Sequence, residues 1–509
     1  MERLGQVLVQ NACRFPDKAA IIEGRMELTH PALLARVSAL AGALGDHGAR
    51  RVAVVLPSGH DVVCAHYATM IAGCEAMLLD ARMPPDDLAD LLGRFQPAVV
   101  ITRSPELQPL TDLLGPAVQS VFLLPSVEDG CCPRAKSQQA VQHLAWPGAP
   151  VWSALRDWGS LDEVALVLCT TGTTGARKLV SLTERNVLAA ARNINEFTRI
   201  DASAREVTPL PLHRSFGLAR ARCLSLVGGT LIISPPRGDR ALALIAQHQA
   251  TGFSAVPAFL RMLIGTFGLR LARYVAGLDY MEIGSASMEH GDKLFLIEAA
   301  PRARICMHYG STEASRSTFI EFRSERDKLD TIGRPTPHVN LRVVSEDGTP
   351  CSNGEPGEIV VQGEHVCAGY WGDDQLTAAR LRQGWLHTSD CGSIDADGYV
   401  RLLGRMDDVM NVGGVKVSPE RIENVAKSLP GVIDCAAVGG RDSRGIYGEV
   451  PLLYVVGDGS TSLSAQRVKS YCAERLLPEE VPHEVLFIDA IPRTDTGKIQ
   501  RSHLRAQHA

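Results

Sequence analysis

Runs built of little but Val, Ile and Leu, each followed by a stretch of helical period, govern what this chain can become. "RVAVVLP" (Arg51–Pro57) leads into "HDVVCAHYATMIAGCEAMLL"; "PAVVITRS" follows, and later "EVALVLCTTG", "GTLIISPP" and "TGFSAVPAFLRMLI". A strand that is apolar on both faces must be covered on both faces, which calls for parallel pairing with helices above and below. The expected fold class is α/β. Hydrophobic residues at 45% supply the core for it, and 509 residues exceed one ordinary domain, so roughly two to four are expected. After about Gly333 the texture changes. "NLRVVSEDGTPCSNGEPGEIVVQGEHV" alternates short strands with Asp-Gly and Asn-Gly turns, an antiparallel hairpin pattern. From Ser418 onward helices and strands mix as a small α+β unit, and Val127 to Pro150, rich in Cys, Pro, Gln and Gly, reads as a surface loop.

Charge and cysteine usage narrow the class. The formal net charge of −5 lacks the basic excess of a nucleic-acid binder. No apolar run approaches the ~18 residues of a membrane helix. The N-terminal "MERLGQVLVQNACRFPDK" has no basic start followed by an apolar stretch, so no secretory signal is expected. The 13 cysteines form no CxxC pair, and Cys131–Cys132 stands alone. Reduced thiols in a cytoplasmic protein are expected, as a monomer or homodimer.

One loop carries chemistry. "LCTTGTTGARKLV" (Leu168–Val180) sets hydroxyls and glycines after an apolar strand and closes on a lysine. It is not a Walker A loop, which needs glycine before the lysine and Ser or Thr after it, where this chain has Arg177 and Leu179. The Rossmann spacing fails at Thr174. Backbone N–H groups and hydroxyls in such a loop suit an anion, but the loop alone also reads as a plain strand-to-helix turn. Further motifs follow in order: "HYGSTEAS" (His308–Ser315), "GWLHTSDCG" with Asp390, "GRMDDVMNVGGVKVSPERIE", and "IPRTDTGKIQR" with Lys498.

This ordered set resembles the adenylate-forming superfamily of acyl-CoA synthetases, peptide-synthetase adenylation domains and firefly luciferases, over nearly the whole chain. The resemblance implies an N-terminal adenylation domain (1–406) of parallel and mixed sheets with helices and a distorted β-barrel subdomain. A small mobile α+β C-terminal domain (407–509) follows a hinge near Asp407. It implies that Thr170, Thr171, Gly172, Thr173, Thr174, Gly175 and Lys178 cradle ATP phosphates. The family's proline before the lysine is Arg177 here, expected at solvent; losing proline should loosen the turn. Glu313 matches a Mg²⁺-associated glutamate, and Thr312 a residue beside the α-phosphate. Tyr309 resembles a ring near adenine, with Gly310 and Ser311 beside it. Asp390 matches a carboxylate on the ribose hydroxyls and Arg405 a second nucleotide contact. Lys498 resembles the catalytic lysine that a mobile C-terminal domain delivers. "GSASM" places Gly284 and Ser285 near adenine and the acyl pocket.

These residue types suit the chemistry. A carboxylate is a weak nucleophile and is repelled by an anionic phosphate, so attack on the α-phosphorus needs charge neutralisation along the line of the departing pyrophosphate. Mg²⁺ works with few protein oxygens plus phosphate oxygens. On the acyl side the family's Leu-Pro-Leu-aromatic-His-x-x-Gly segment reads "LPLHRSFG", with His213 at the aromatic and Arg214 at the histidine position. The aspartate that holds an amino acid's ammonium in relatives is missing, which disfavours an α-amino acid. Arg214, followed closely by Arg220 and Arg222, is expected to hold an anionic or polar acid; an arginine at solvent is the alternative. Phe253, Val256 and Pro257 are candidates for the acyl wall or for core. "NVGGVKVSPERIE" looks more like acyl-CoA synthetases, making Gly413, Gly414 and Val415 candidates for passage of a pantetheine arm; a tight hairpin is the alternative. The expected enzyme joins a small carboxylic acid to a thiol supplied in trans, CoA or the phosphopantetheine of a carrier protein, using ATP and Mg²⁺. An adenylate-binding protein without turnover and a luciferase-type oxidoreductase are the other readings.

Overall fold

The computed structural model describes residues 2–125, 140–152, 160–170, 177–412, 415–441, 449–459, 463–493 and 499–507. Two large sheets dominate. In the first, Arg51–Leu56, Glu75–Asp80, Val99–Arg103, Ser120–Leu124, Ala140–His143 and Val164–Thr170 are parallel, and Lys178–Thr183 and Gly369–Tyr370 close one edge antiparallel. In the second, Ala19–Glu23, Arg205–Thr208, Thr230–Ile233, Gly252–Ala255, Tyr280–Ile283 and Arg304–Tyr309 are parallel, flanked by antiparallel edge strands. The all-apolar strands do face two ways. Val52, Val54 and Leu56 join the core between the sheets, while Ala53 and Val55 join the one outside. The region read as a loop from Val127 to Pro150 contains the strand Ala140–His143; its side chains are largely exposed at a sheet edge, so no apolar run announces it.

Beyond residue 333 the hairpin pattern becomes a five-stranded antiparallel half-barrel of Asn340–Val344, Gly357–Gln362, Leu381–Arg382, Trp385–Ile394 and Val400–Arg405. A short hairpin, Met410–Val412 with Val415–Val417, leads into a three-stranded sheet of Val432–Arg441, Glu449–Gly457 and Glu484–Phe487. Cys435 and Ala437 face a core with the Pro419–Lys427 and Ala465–Ala473 helices, and Ala436 and Val438 face Ile491 and Leu504. No helix among the described residues is long and apolar enough to cross a membrane.

Candidate active site

Strand ends from all three large sheets meet at one cleft. Thr170 and Lys178 are direct partners across the antiparallel pair of Val164–Thr170 and Lys178–Thr183, so the lysine stands opposite the last residue before the loop. Next to that pair, Tyr370 pairs with Val180 and its hydroxyl donates to Glu313 Oε1 at 3.0 Å. Glu313 belongs to a turn after Arg304–Tyr309. Ser311 N–H donates to the Ala314 carbonyl at 3.1 Å, and Cys367 N–H donates to the Glu313 carbonyl at 2.7 Å. Gly310 is required in this turn, since a Cβ there would lie 2.5 Å from the Arg316 nitrogen. Thr312 is half-buried on the same turn.

Asp390 and Arg405 face each other in register across Trp385–Ile394 and Val400–Arg405, and the guanidinium reaches the carboxylate at 2.9 Å. The other carboxylate oxygen accepts from the Tyr309 hydroxyl at 2.6 Å. A carboxylate has about four lone-pair sites, so Asp390 keeps room for two further donors. Burial, then the Asp390 carboxylate, holds the Tyr309 phenol well above its usual value, and the hydrogen bond therefore runs from tyrosine to aspartate. A pocket is lined by Lys178, Ser311, Glu313, Tyr370, Arg380, Leu386, His387, Thr388 and Arg405. Burial and then the Arg380 charge lower the Lys178 ammonium from its ordinary value.

With this geometry the family comparisons agree. The AMP-binding enzyme model matches residues 8–371, and the AMP-binding enzyme C-terminal domain matches residues 421–498. The chain belongs to the AMP-binding enzyme family. It is similar to a long-chain fatty acid–CoA ligase of Mycobacterium tuberculosis at 28% identity, over 100% of this chain and 99% of that one. It is also 28% identical to a sulfoacetate–CoA ligase of Cupriavidus necator, over 99% and 97%. ATP-bound MatB from Rhodopseudomonas palustris shares the fold, with a TM-score of 0.85 at 24% identity over 99% of both chains. This AMP-binding enzyme uses ATP and Mg²⁺ to activate a carboxylic acid as its acyl-adenylate and passes the acyl group to a thiol.

The donor set around Glu313 fits Mg²⁺. One carboxylate, Glu313, lines the cleft together with Ser311, and a hard cation completed by phosphate oxygens needs no more. Among the described residues there is no cluster of three His, Cys, Asp or Glu that would hold a metal without the nucleotide.

The remaining candidates divide. Thr171, Gly172, Thr173, Thr174, Gly175, Gly413, Gly414 and Lys498 lie outside the described residues. Val415 is exposed on its hairpin. Gly284 is buried because the His308 imidazole packs where its Cβ would be, at 2.1 Å, and Ser285 beside it is exposed at φ +75°. His213 is buried, its Nε2 3.5 Å from Asp80, and burial pushes its imidazole down to about 4. Arg214 is half-buried at the start of the Ser215–Val227 helix and has no ion-pair partner among the described residues. Val256 and Pro257 begin the Pro257–Phe267 helix.

Phe253 is fully buried in the apolar core with Leu260, Met281 and Leu296, the core alternative of the two it was given. Arg220 and Arg222, which follow Arg214 on its helix, are buried. Arg220 is enclosed by Glu206 and Glu282, and Arg222 donates to His66 Nε2 at 3.2 Å. One expectation needs correction: Arg177 is not at solvent. Its guanidinium pairs with Asp87 at 2.5 Å, and its carbonyl accepts from Arg94 at 2.9 Å. Sequence reasoning missed Tyr370 and Arg380. "GYWGDDQLTAARLRQGW" has no motif that singles them out, and only the sheet-edge pairing brings Tyr370 to Glu313.

Proposed function

We propose that the acceptor is CoA and that the acid carries a second anionic or strongly polar group. The observation that carries this reading is Arg214, a half-buried guanidinium without an ion-pair partner among the described residues. It acts electrostatically on Cys169, at the end of the strand that feeds the threonine-rich loop. A planar guanidinium there suits a carboxylate or sulfonate, and one relative is a sulfoacetate–CoA ligase. CoA is favoured because curated relatives over the full length carry CoA-ligase names.

In this reading Lys178 and the threonine-rich loop hold the β- and γ-phosphates, Asp390 takes the ribose hydroxyls, and Arg405 and Tyr309 keep its carboxylate aimed. Glu313 with Ser311 would hold Mg²⁺, which when bound supplies charge neutralisation between the two anions. Thr312 lies by the α-phosphate. Lys498, on a small domain from 407 to 509 that swings about Asp407, bridges the attacking carboxylate and the α-phosphate. The domain then withdraws, and Gly413, Gly414 and Val415 flank the incoming pantetheine, an alternation of the hinge type. The enzyme works in the cytoplasm as a monomer or homodimer.

A pyrophosphate-release screen of aryl, short-chain, long-chain, dicarboxylic and sulfonated acids, with free CoA or a loaded carrier protein as acceptor, tests the reading. Acids with a second anionic group should be turned over best with CoA, and Arg214→Ala should weaken them while sparing uncharged acids. Equal loss for both acid types removes Arg214 from the pocket, and turnover only with the carrier protein replaces CoA.

A further inference from the structure

We propose that Arg380 is a phosphate-binding residue of this reaction, gripping the β,γ-diphosphate of ATP together with Lys178 and holding pyrophosphate after it departs. This rests on the phosphates lying in the cleft described above. Among the described residues, three cations line that cleft: Lys178, Arg380 and Arg405. Arg405 is neutralised by Asp390 at 2.9 Å. Lys178 and Arg380 have no ion-pair partner among the described residues, and Glu313, the one carboxylate on the pocket wall, already accepts from the Tyr370 hydroxyl. Among the described residues, the one hydrogen bond given by the Arg380 guanidinium is long, 3.4 Å to the His387 carbonyl, a neutral acceptor that a phosphate would outcompete.

Two like charges around one small pocket repel, and the Arg380 charge does act on Lys178 to disfavour its protonated form. A polyanion between them turns that repulsion into attraction. Arginine's planar fork can meet two phosphate oxygens with two parallel hydrogen bonds, a geometry that lysine's point charge lacks. The position is also fixed. Arg380 ends the Asp374–Arg380 helix, which Asp373 caps through Leu376 N–H at 2.9 Å. Thr377 Oγ1 accepts from Tyr370 N–H at 2.9 Å, so the helix is tied to the same two-residue strand that holds Glu313. Asp390, Tyr309 and Arg405 stand at the nucleoside end by the same reading, which leaves Arg380 to the phosphate end.

The test is direct binding of pyrophosphate with Mg²⁺, and separately of AMP, to the full chain by calorimetry, for wild type, Arg380→Ala and Arg380→Lys. Arg380→Ala should weaken pyrophosphate binding about 10-fold or more, leave AMP binding within about 2-fold, and leave the thermal midpoint unchanged; Arg380→Lys should recover part of the loss. Equal weakening of pyrophosphate and AMP would make Arg380 a scaffold residue, and no change in either would remove it from the site. Both outcomes overturn the proposal. Should Arg380→Ala not fold, the lysine variant decides on the same two ligands. Because no turnover is needed, a failure here is distinct from a failure to find the acid.

Discussion

Lys178 stands next to a residue that the sequence left without a role. Arg177 reaches Asp87 on the Pro85–Phe95 helix, and Arg94 of that helix holds its carbonyl. Two side chains from one helix thus fix the stem of the threonine-rich loop where relatives use a proline ring. An ion pair whose aspartate reaches the surface contributes up to about 1 kcal/mol, equivalent to about a five-fold change in an equilibrium. Asp87→Ala should therefore raise KM for ATP by up to about five-fold with kcat nearly unchanged, and adding Arg177→Pro should recover the loss; steady-state kinetics on the three variants check this. Unchanged KM would show the stem is held otherwise. Asp390 is the stronger case: Asp390→Ala leaves Arg405 and the Tyr309 hydroxyl without their carboxylate. ATP and AMP binding should both weaken about 10-fold or more, read by calorimetry. The motifs named Asp390, Glu313 and Lys178 from sequence because each sits in a short, ordered pattern. Nothing local to Arg177 could reveal Asp87, ninety positions away.

At the scale of elements, a buried charge cluster ties the acyl-side helix to the sheet beneath the cleft. Arg220 of the Ser215–Val227 helix meets Glu206 on Arg205–Thr208 and Glu282 on Tyr280–Ile283. Arg316, after the "STEAS" turn, meets Glu282 at 3.0 Å, and His308 lies 2.9 Å from the same carboxylate. The two arginines hold the Glu282 carboxyl far below its ordinary range against the opposing effect of burial. Glu282→Ala would leave the buried Arg316 without its carboxylate and Arg220 with Glu206 alone, a loss of about 3–5 kcal/mol, visible as a lower urea midpoint; an unchanged midpoint would mean the cluster does not brace the fold. The all-apolar strands made the parallel sheets legible, because burial on two faces leaves no other pattern. The role of Arg220 was not legible in the sequence, since an arginine run looks the same whether it meets a ligand or buried glutamates on another strand. The strand Ala140–His143 escaped because its pairing, with Ser120–Leu124, is made by backbone while its side chains stay largely exposed.

The pH response belongs to the whole molecule, as does the proposed alternation between half-reactions. His30, His213, His308 and His365 are buried, and burial pushes each down to about 4. When unfolded they titrate near 6.5, so between these values the unfolded chain binds more protons and stability rises with pH. Moving from pH 7 to pH 5 should cost on the order of 2 kcal/mol for each histidine, seen as a falling urea midpoint; a flat profile would contradict their neutral burial. Lys498→Ala should lower adenylate formation about 100-fold or more yet spare thiolysis of supplied acyl-adenylate. Equal loss of both steps would contradict domain alternation. The most direct measurement uses ATP labelled on its α-phosphate with a substrate acid and no CoA. The account predicts acid-dependent label in an enzyme-bound acyl-adenylate, which CoA converts to AMP and thioester. Release of ADP, or no reaction of ATP until CoA is added, would contradict it.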